Sequence, residues 1–372
     1  MTEFYLIRHA EALGNYYRRV QGHWDMPLLK DSKAQLLSLE ERFRGVHIDE
    51  IYSSDLIRAV DTAKALAEPR GLSIQKTAEL RELSMGAWES RSWPYLRYAD
   101  FEQAELFRIN PLNWAPEGAE NYRDAALRLK GFLLSMAEQK SGKTIAAFTH
   151  GALVRSYLCL YMGESIDFSI PHGANTSVTR LLVKDGVITV DYYNDDAHLA
   201  DISSGREKQK HDLSKLCLSP LSLESDMGRG YYASCYRKSW LEAHGNADGF
   251  WAGIYLINAQ ARSRTDPDTV LLPSLNGKKL GVLELMFETD DPDIGRVALI
   301  YTEPEYRNSG LGRTLMGAAE ALMKERGKKI CSLNVAVTNE NAIGFYLHLD
   351  YEKKGLNPGV ASELIYMEKE IL

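Results

Sequence analysis

Apolar residues recur along this chain at two spacings, and the change from one to the other marks the elements. Residues 4–7, 48–52 and 144–148 are short apolar runs with β-branched and aromatic members, which read as buried strands. Between them the spacing is helical. Residues 32–45 predict a helix that ends at a glycine. Leu56, Ala59, Val60, Ala63, Leu66 and Ala67 form one apolar stripe, with Ser53 or Ser54 as its N-cap. A second stripe, Ala125, Leu129, Phe132, Leu133 and Met136, follows Pro116. Residues 93–114 are rich in aromatics without a regular period and read as a helical lid or insertion. In the second half, 231–244 predicts a helix, 249–259 a strand, and 262–276 a polar loop containing prolines. Residues 281–287 and 296–301 predict two strands. Leu311, Leu315, Ala318, Ala319 and Leu322 give a helix that stops at Gly327.

The polar residues at the ends of these runs carry the chemistry. The first strand ends in Arg8-His9 and the strand at 144–148 leads into Thr149-His150-Gly151. Open α/β sheets bind ligands beyond the carboxyl ends of their strands. A histidine there can attack phosphorus and an arginine can hold phosphate oxygens. Arg58 falls off its stripe, in the first turn of a helix, where a cation is out of place unless an anion is bound. The plainer reading pairs it with Asp55 or Asp61. Glu82, near Gly86-Ala87-Trp88-Glu89, is a candidate proton donor, with Glu79 and Glu89 as competitors. Gly151 lets backbone come close to a ligand.

Four motifs, Leu6-Ile7-Arg8-His9-Ala10-Glu11, the segment from Ser53 to Ala63, Leu80-Arg81-Glu82 with Gly86-Ala87-Trp88-Glu89, and Thr149-His150-Gly151-Ala152, together resemble the histidine phosphatase (phosphoglycerate-mutase-like) superfamily over about residues 1–200. The resemblance implies that His9 is a nucleophile that becomes phosphohistidine. It implies that Arg8, Arg58 and His150 form the phosphate pocket, that Glu82 protonates the leaving oxygen, and that Asn15 lines the site. Ala10 stands where the family usually has glycine, and Ala12 where threonine is frequent. The basic insertions of the mutase branch are missing, which favours hydrolysis over mutase chemistry.

In the second half, Arg307-Asn308-Ser309-Gly310-Leu311-Gly312-Arg313 precedes a helix, as a pyrophosphate cradle would. It is no Walker A loop, since Gly-Lys-Ser/Thr does not occur, and Leu315 breaks the dinucleotide fingerprint. With residues 339–346 (Asn-Glu-Asn-Ala-Ile-Gly-Phe-Tyr) it resembles the GNAT-type N-acetyltransferases over about 215–372. The resemblance implies that amides of 307–313 hold the acetyl-CoA pyrophosphate, that Asn341 contacts the CoA arm, and that Tyr346 protonates the departing thiolate. Asp350-Tyr351 replaces the family's usual Gly-Phe. Glu284 and Glu288, both read onto one strand, are the candidate bases.

The expected fold is α/β: an N-terminal three-layer α/β/α domain over 1–205, a linker over 206–214, and a mixed α/β GNAT domain over 215–372. Residues 203–212 carry no large apolar side chain, as a linker would. The 372 residues and 45% apolar content allow two cores. A net charge of −7 with mixed signs argues against nucleic acid or membrane as partner. The four cysteines are scattered, so neither a zinc site nor a disulfide framework is expected, and free thiols fit a reducing, cytoplasmic setting; the phosphate site described above requires no metal. The expected partners are a small-molecule phosphate ester, a small-molecule amine and acetyl-CoA. The competing expectations are a binding or regulatory protein with one inactive half, and phosphotransfer of the mutase type.

Overall fold

The opening apolar run lies inside a sheet whose strands β1 (Thr2–Arg8), β2 (Glu50–Ser54), β3 (Ile74–Thr77), β4 (Thr144–Thr149), β5 (Val178–Lys184) and β6 (Val187–Asp195) take the order β3-β2-β4-β1-β5-β6. The computed structural model describes residues 1–200, 202 and 211–371. Most of the expected linker, 206–210, therefore lies outside the described residues. Two units separate: 1–90 with 100–208, and 91–99 with 209–372.

In the first unit β3, β2, β4 and β1 run parallel, and β5 and β6 are antiparallel. Alternate residues of these strands face opposite sides. Tyr5, Ile7, Ile51, Ala146 and Phe148 pack on Leu39 and Phe43 of the helix Lys33–Arg42 and on Ala59, Ala63 and Leu66 of the helix Ile57–Arg70. On the opposite face Tyr52 meets Phe132 of the helix Tyr122–Gln139 at 5.7 Å. Each large apolar side chain so buried contributes about 1.5–3 kcal/mol. The helix Ile57–Arg70 begins later than the serines predicted. Leu56 is its N-cap, and its first amide, Ile57 N, donates to the Asp25 carboxylate at 2.9 and 3.0 Å.

The second unit has strands β7 (Cys217–Pro220), β8 (Val270–Leu275), β9 (Lys278–Lys279), β10 (Gly281–Met286), β11 (Ile294–Thr302), β12 (Ile330–Ala336), β13 (Glu352–Asn357) and β14 (Leu364–Glu370), in the order β13-β14-β12-β11-β10-β8-β7 with β9 on β8. Two expectations are corrected here. Residues 249–259 do not form a strand but open the helix Ala252–Thr265. That helix packs Leu256 and Ala259 on the core and leaves Trp251, Ile254 and Ile257 in solvent, so apolar residues on both faces hide its period. Nor is 262–276 all loop: β8 runs through it, and Pro273 sits in the strand beyond the residues, Val270 and Leu271, that pair with β10. The aromatic stretch 93–114 is helical as expected, but it divides. Trp93–Ala99 belongs to the second unit, where Tyr95 donates to Asp268 at 2.7 Å, and Phe101–Ile109 belongs to the first.

Candidate active sites

β1 and β4 are neighbours in register, Arg8 opposite Thr149, and His9 N donates to Thr149 O at 3.0 Å. The residues that follow therefore leave the sheet side by side. The rings of His9 and His150 lie 5.2 Å apart, centre to centre, and both are buried. Next to β4, β2 leads into the helix that carries Arg58 in its first turn. Parallel strand order thus brings three distant segments to one edge of the sheet.

Arg58 is fully buried, and neither acid proposed by spacing pairs with it. Asp55 binds Arg81 and Asp61 binds Lys64. Arg58 instead donates to two main-chain carbonyls, Gly22 at 2.7 Å and Trp24 at 3.3 Å, with the Asp25 carboxylate at 3.5 Å. Burial pushes its pKa down to about 10 despite Glu82 and Asp25 nearby. Burial also lowers Arg8, whose Nη1 donates to Gly173 O. Arg8 Nε, Arg58 Nε and both ring nitrogens of His150 are buried without a partner. Each such group costs about 1–3 kcal/mol when left unsatisfied. Guanidinium and imidazole nitrogens held ready in one electropositive spot are the arrangement a phosphoryl group satisfies.

His9 Nδ1 lies 2.7 Å from Ala10 O. A carbonyl only accepts, so Nδ1 carries the hydrogen and the lone pair is on Nε2. Burial, then Arg58 and Arg8, hold this imidazole well below its ordinary pKa, and burial, Arg58 and His9 do the same to His150. Both rings are thus neutral in the folded protein at pH values where the unfolded chain, with ordinary pKa about 6.5, takes up protons. Their contribution to stability is present above pH about 6.5 and is lost as pH falls below it, by up to about 1.4 kcal/mol per unit for each ring. Urea unfolding of the protein at pH about 7 and about 5.5 is expected to show this loss. His150→Asn is expected to reduce its slope; an unchanged slope would refute neutral burial of His150.

Glu82 is buried, and its carboxylate caps the first turn of the helix Gly151–Tyr161. Its Oε1 accepts from Leu83 N at 3.0 Å and Leu153 N at 2.8 Å, and its Oε2 from Ala152 N at 3.1 Å. Of its competitors, Glu79 is exposed, and Glu89 is engaged by the amides of Met85 and His23. Asn15 turns its oxygen to Ala12 N at 3.1 Å. Gly151 proves to make room for Arg8: a Cβ there would lie 3.1 Å from Arg8 Nε. Ala10 is buried, its N–H donates to Thr62 Oγ1 at 2.9 Å, and its backbone is not left-handed, so nothing in its conformation calls for glycine.

In the second unit the pairing of β11 with β12 runs from Ile294–Ile330 to Val297–Leu333 and stops. Beyond that point β11 stays paired with β10, and β12 with β14. The two strands part, and each leaves a backbone edge facing the gap. β11 then leads to Asn308 and Gly310, both left-handed at φ 58° and 83°, and to the helix Leu311–Glu325. First-turn amides of a helix have no partner within it and suit an anion. A flat pantetheine-like amide arm between the parted edges and a pyrophosphate on Leu311, Gly312 and Arg313 fit these donors. Arg307 turns its side chain to Glu242 at 2.8 Å, and the Ser309 hydroxyl donates to Tyr306 O. Gly312 also admits the Phe345 ring, which a Cβ would meet at 3.1 Å. Asn341 is exposed in the first turn of the helix Glu340–His348. Tyr346 is buried, which raises its phenol pKa and keeps it protonated. Glu284 is buried in β10, accepts from Tyr232 OH at 2.7 Å and pairs with Arg262; burial raises its pKa. Glu288 lies beyond the end of β10 and is exposed, which corrects the expectation that it shares that strand.

The model of the histidine phosphatase superfamily (branch 1) matches residues 4–196, just over half of the chain. The chain belongs to that superfamily. The acetyltransferase (GNAT) family model matches residues 229–351 of the same chain. Among similar proteins, the probable phosphoglycerate mutase GpmB of Klebsiella pneumoniae subsp. pneumoniae is 33% identical over 167 residues, 44% of this chain and 76% of that protein. The GpmB of Yersinia pestis is 34% identical over 165 residues, with the same coverage. Among solved structures, Bacillus stearothermophilus YhfR is 29% identical with a TM-score of 0.51, covering 54% of this chain and 100% of that one. The two domains make the chain an enzyme of histidine phosphatase and N-acetyltransferase type, with acetyl-CoA as co-substrate of the second domain. Among the described residues, no helix is long and apolar enough to cross a membrane.

Several residues that hold these side chains in place had no role assigned to them from the sequence. Asp25 and the carbonyls of Gly22 and Trp24 hold Arg58. Thr62 ties Ala10 to the Arg58 carbonyl, which accepts from Thr62 Oγ1 at 2.7 Å. Asn175 Nδ2 donates to His9 O at 2.9 Å. Asn175 lies in the stretch 172–177 just before β5, but the carbonyl it serves has no sequence signature.

Proposed function

We propose that the first domain hydrolyses a small-molecule phosphomonoester in two steps. His9 Nε2 attacks phosphorus while Glu82 protonates the leaving oxygen; water then cleaves the phosphohistidine, and Glu82 takes up a proton. Arg8, Arg58 and His150 stabilise the charge on the equatorial oxygens, and Asn15 borders the site. The observation that carries this reading is the set of buried, unpartnered nitrogens around His9. The relatives named as probable phosphoglycerate mutases favour a second reading, in which the phosphoryl group returns to the product. Incubation with 3-phosphoglycerate and with an aryl phosphate separates them. Free phosphate from both supports hydrolysis, and 2-phosphoglycerate without phosphate release supports the mutase.

The second domain transfers acetyl from acetyl-CoA to the amine of a small molecule, with Glu284 as base and Tyr346 as acid. The amides of 307–313 and Asn341 hold the CoA. Burial raises the pKa of Glu284, the direction that makes a carboxylate a better proton acceptor. Glu284→Gln is expected to lower thiol release with an amine panel by about 10²-fold, and Tyr346→Phe by about tenfold or more. Full activity in Glu284→Gln would assign the base elsewhere. A cytoplasmic location and the 206–214 linker remain part of this proposal.

A further inference from the structure

Thr176 breaks a backbone rule inside the first unit. It is β-branched and fully buried, yet its φ is +63°. Such residues leave the left-handed region unless the surroundings hold them in it. Its amide shows what the conformation achieves. Thr176 N donates to Arg8 O at 3.1 Å and to His9 O at 3.3 Å. Asn175 Nδ2 donates to the same His9 carbonyl, and Gly173 O accepts from Arg8 Nη1. Arg8 N in turn donates to Ser177 O at 3.1 Å. One turn therefore grips the main chain of the nucleophile and of its neighbour.

A relay of side chains holds Thr176. His198 Nε2 lies 3.1 Å from Thr176 Oγ1, and His198 Nδ1 lies 3.2 Å from Arg42 Nη1. Arginine only donates, so Nδ1 accepts, and Nε2 carries the hydrogen that goes to Thr176. Burial and the Arg42 charge push His198 down to about 4, so the ring stays neutral. Arg42 is itself fixed by the Asp195 carboxylate at 2.6 Å and by Tyr192 OH at 3.3 Å. Ser38, on the same helix as Arg42, donates to the His198 carbonyl. That helix also supplies Gln35, which accepts from Glu11 N at 2.8 Å and so steadies the loop after His9.

We propose that Thr176, locked by the Arg42–His198 relay, is a positioning residue that fixes the His9 main chain, and through it the attacking nitrogen, for phosphoryl transfer. The proposal rests on the hydrolase reading of His9. The relay touches neither phosphate nor leaving group, so its loss lowers kcat and leaves KM nearly unchanged. Small displacements of a reacting group cost about ten- to a hundredfold in rate, and that is the loss expected for His198→Ala and for Thr176→Val. Thr176→Ser, which keeps the hydroxyl, restores most of it. Glycine enters the left-handed region without help, so Thr176→Gly falls less than Thr176→Val. In the Thr176→Gly background, His198→Ala costs little more. An equal loss from His198→Ala in both backgrounds, or a lowered melting temperature with unchanged kcat, would overturn the proposal.

Histidine NMR gives a readout that needs no turnover. The His9 Nδ1–H resonance is expected to move in His198→Ala and to return toward the wild-type position when Thr176→Gly is added. A resonance that His198→Ala leaves in place would overturn the proposal whether or not an ester is hydrolysed. Absence of phosphate release by wild type would count against the hydrolase reading alone.

Discussion

Replacing His9 by alanine is expected to lower phosphate release from an aryl phosphate by about four orders of magnitude or more, the scale seen when a covalent nucleophile is removed. The alanine variant keeps Arg8, Arg58 and His150, so it is expected still to bind inorganic phosphate. The reaction would lack the atom that accepts the phosphoryl group. Rapid quenching of wild type with labelled ester should trap an acid-labile, alkali-stable phosphoenzyme, and His9→Ala should trap none. A labelled His9→Ala variant would place the covalent step on another residue.

Arg58→Met carries the second large effect. A guanidinium that meets charge developing on a phosphoryl oxygen is worth about 10³-fold or more in rate. The variant should lose about that much in kcat/KM. Its fold should persist at a modest cost in stability, because the Gly22 and Trp24 carbonyls lose their donor. Arg58 is a buried cation held mainly by carbonyls, and its burial lowers its own pKa, so removing it also removes a desolvated charge. Inorganic phosphate is therefore expected to raise the melting temperature of wild type and not of Arg58→Met, since a ligand stabilises only a protein that binds it. Equal protection of both proteins would mean that Arg58 does not hold the anion.

The edge of the first sheet that carries Arg8, His9 and His150 was readable because its signals are local. An apolar run that stops at Arg-His or Thr-His states both a strand and its polar end, and parallel order then brings the two ends together. The support of those residues was not readable, because it comes from far away and through the main chain. Asp25 reaches Ile57 and Arg58 across 32 and 33 positions, while Asp55 and Asp61, which spacing favoured, serve Arg81 and Lys64. Thr176 and Asn175 act on carbonyls, which carry no sequence signature. Gly151 was visible as a small residue, but the neighbour it accommodates, Arg8, was not. In the second domain the glycine loop and its amphipathic helix were plain from spacing. The helix Ala252–Thr265 was not, since Ile254 and Ile257 put apolar side chains on its solvent face. Pro273 concealed β8, because a proline argues against a strand except where its missing N–H is not needed.

The most direct test is a crystal structure with inorganic vanadate. The account predicts vanadium within bonding distance of His9 Nε2, with its equatorial oxygens about 3 Å from nitrogens of Arg8, Arg58 and His150. Vanadate bound away from His9, or any of those three side chains turned from its oxygens, would contradict it.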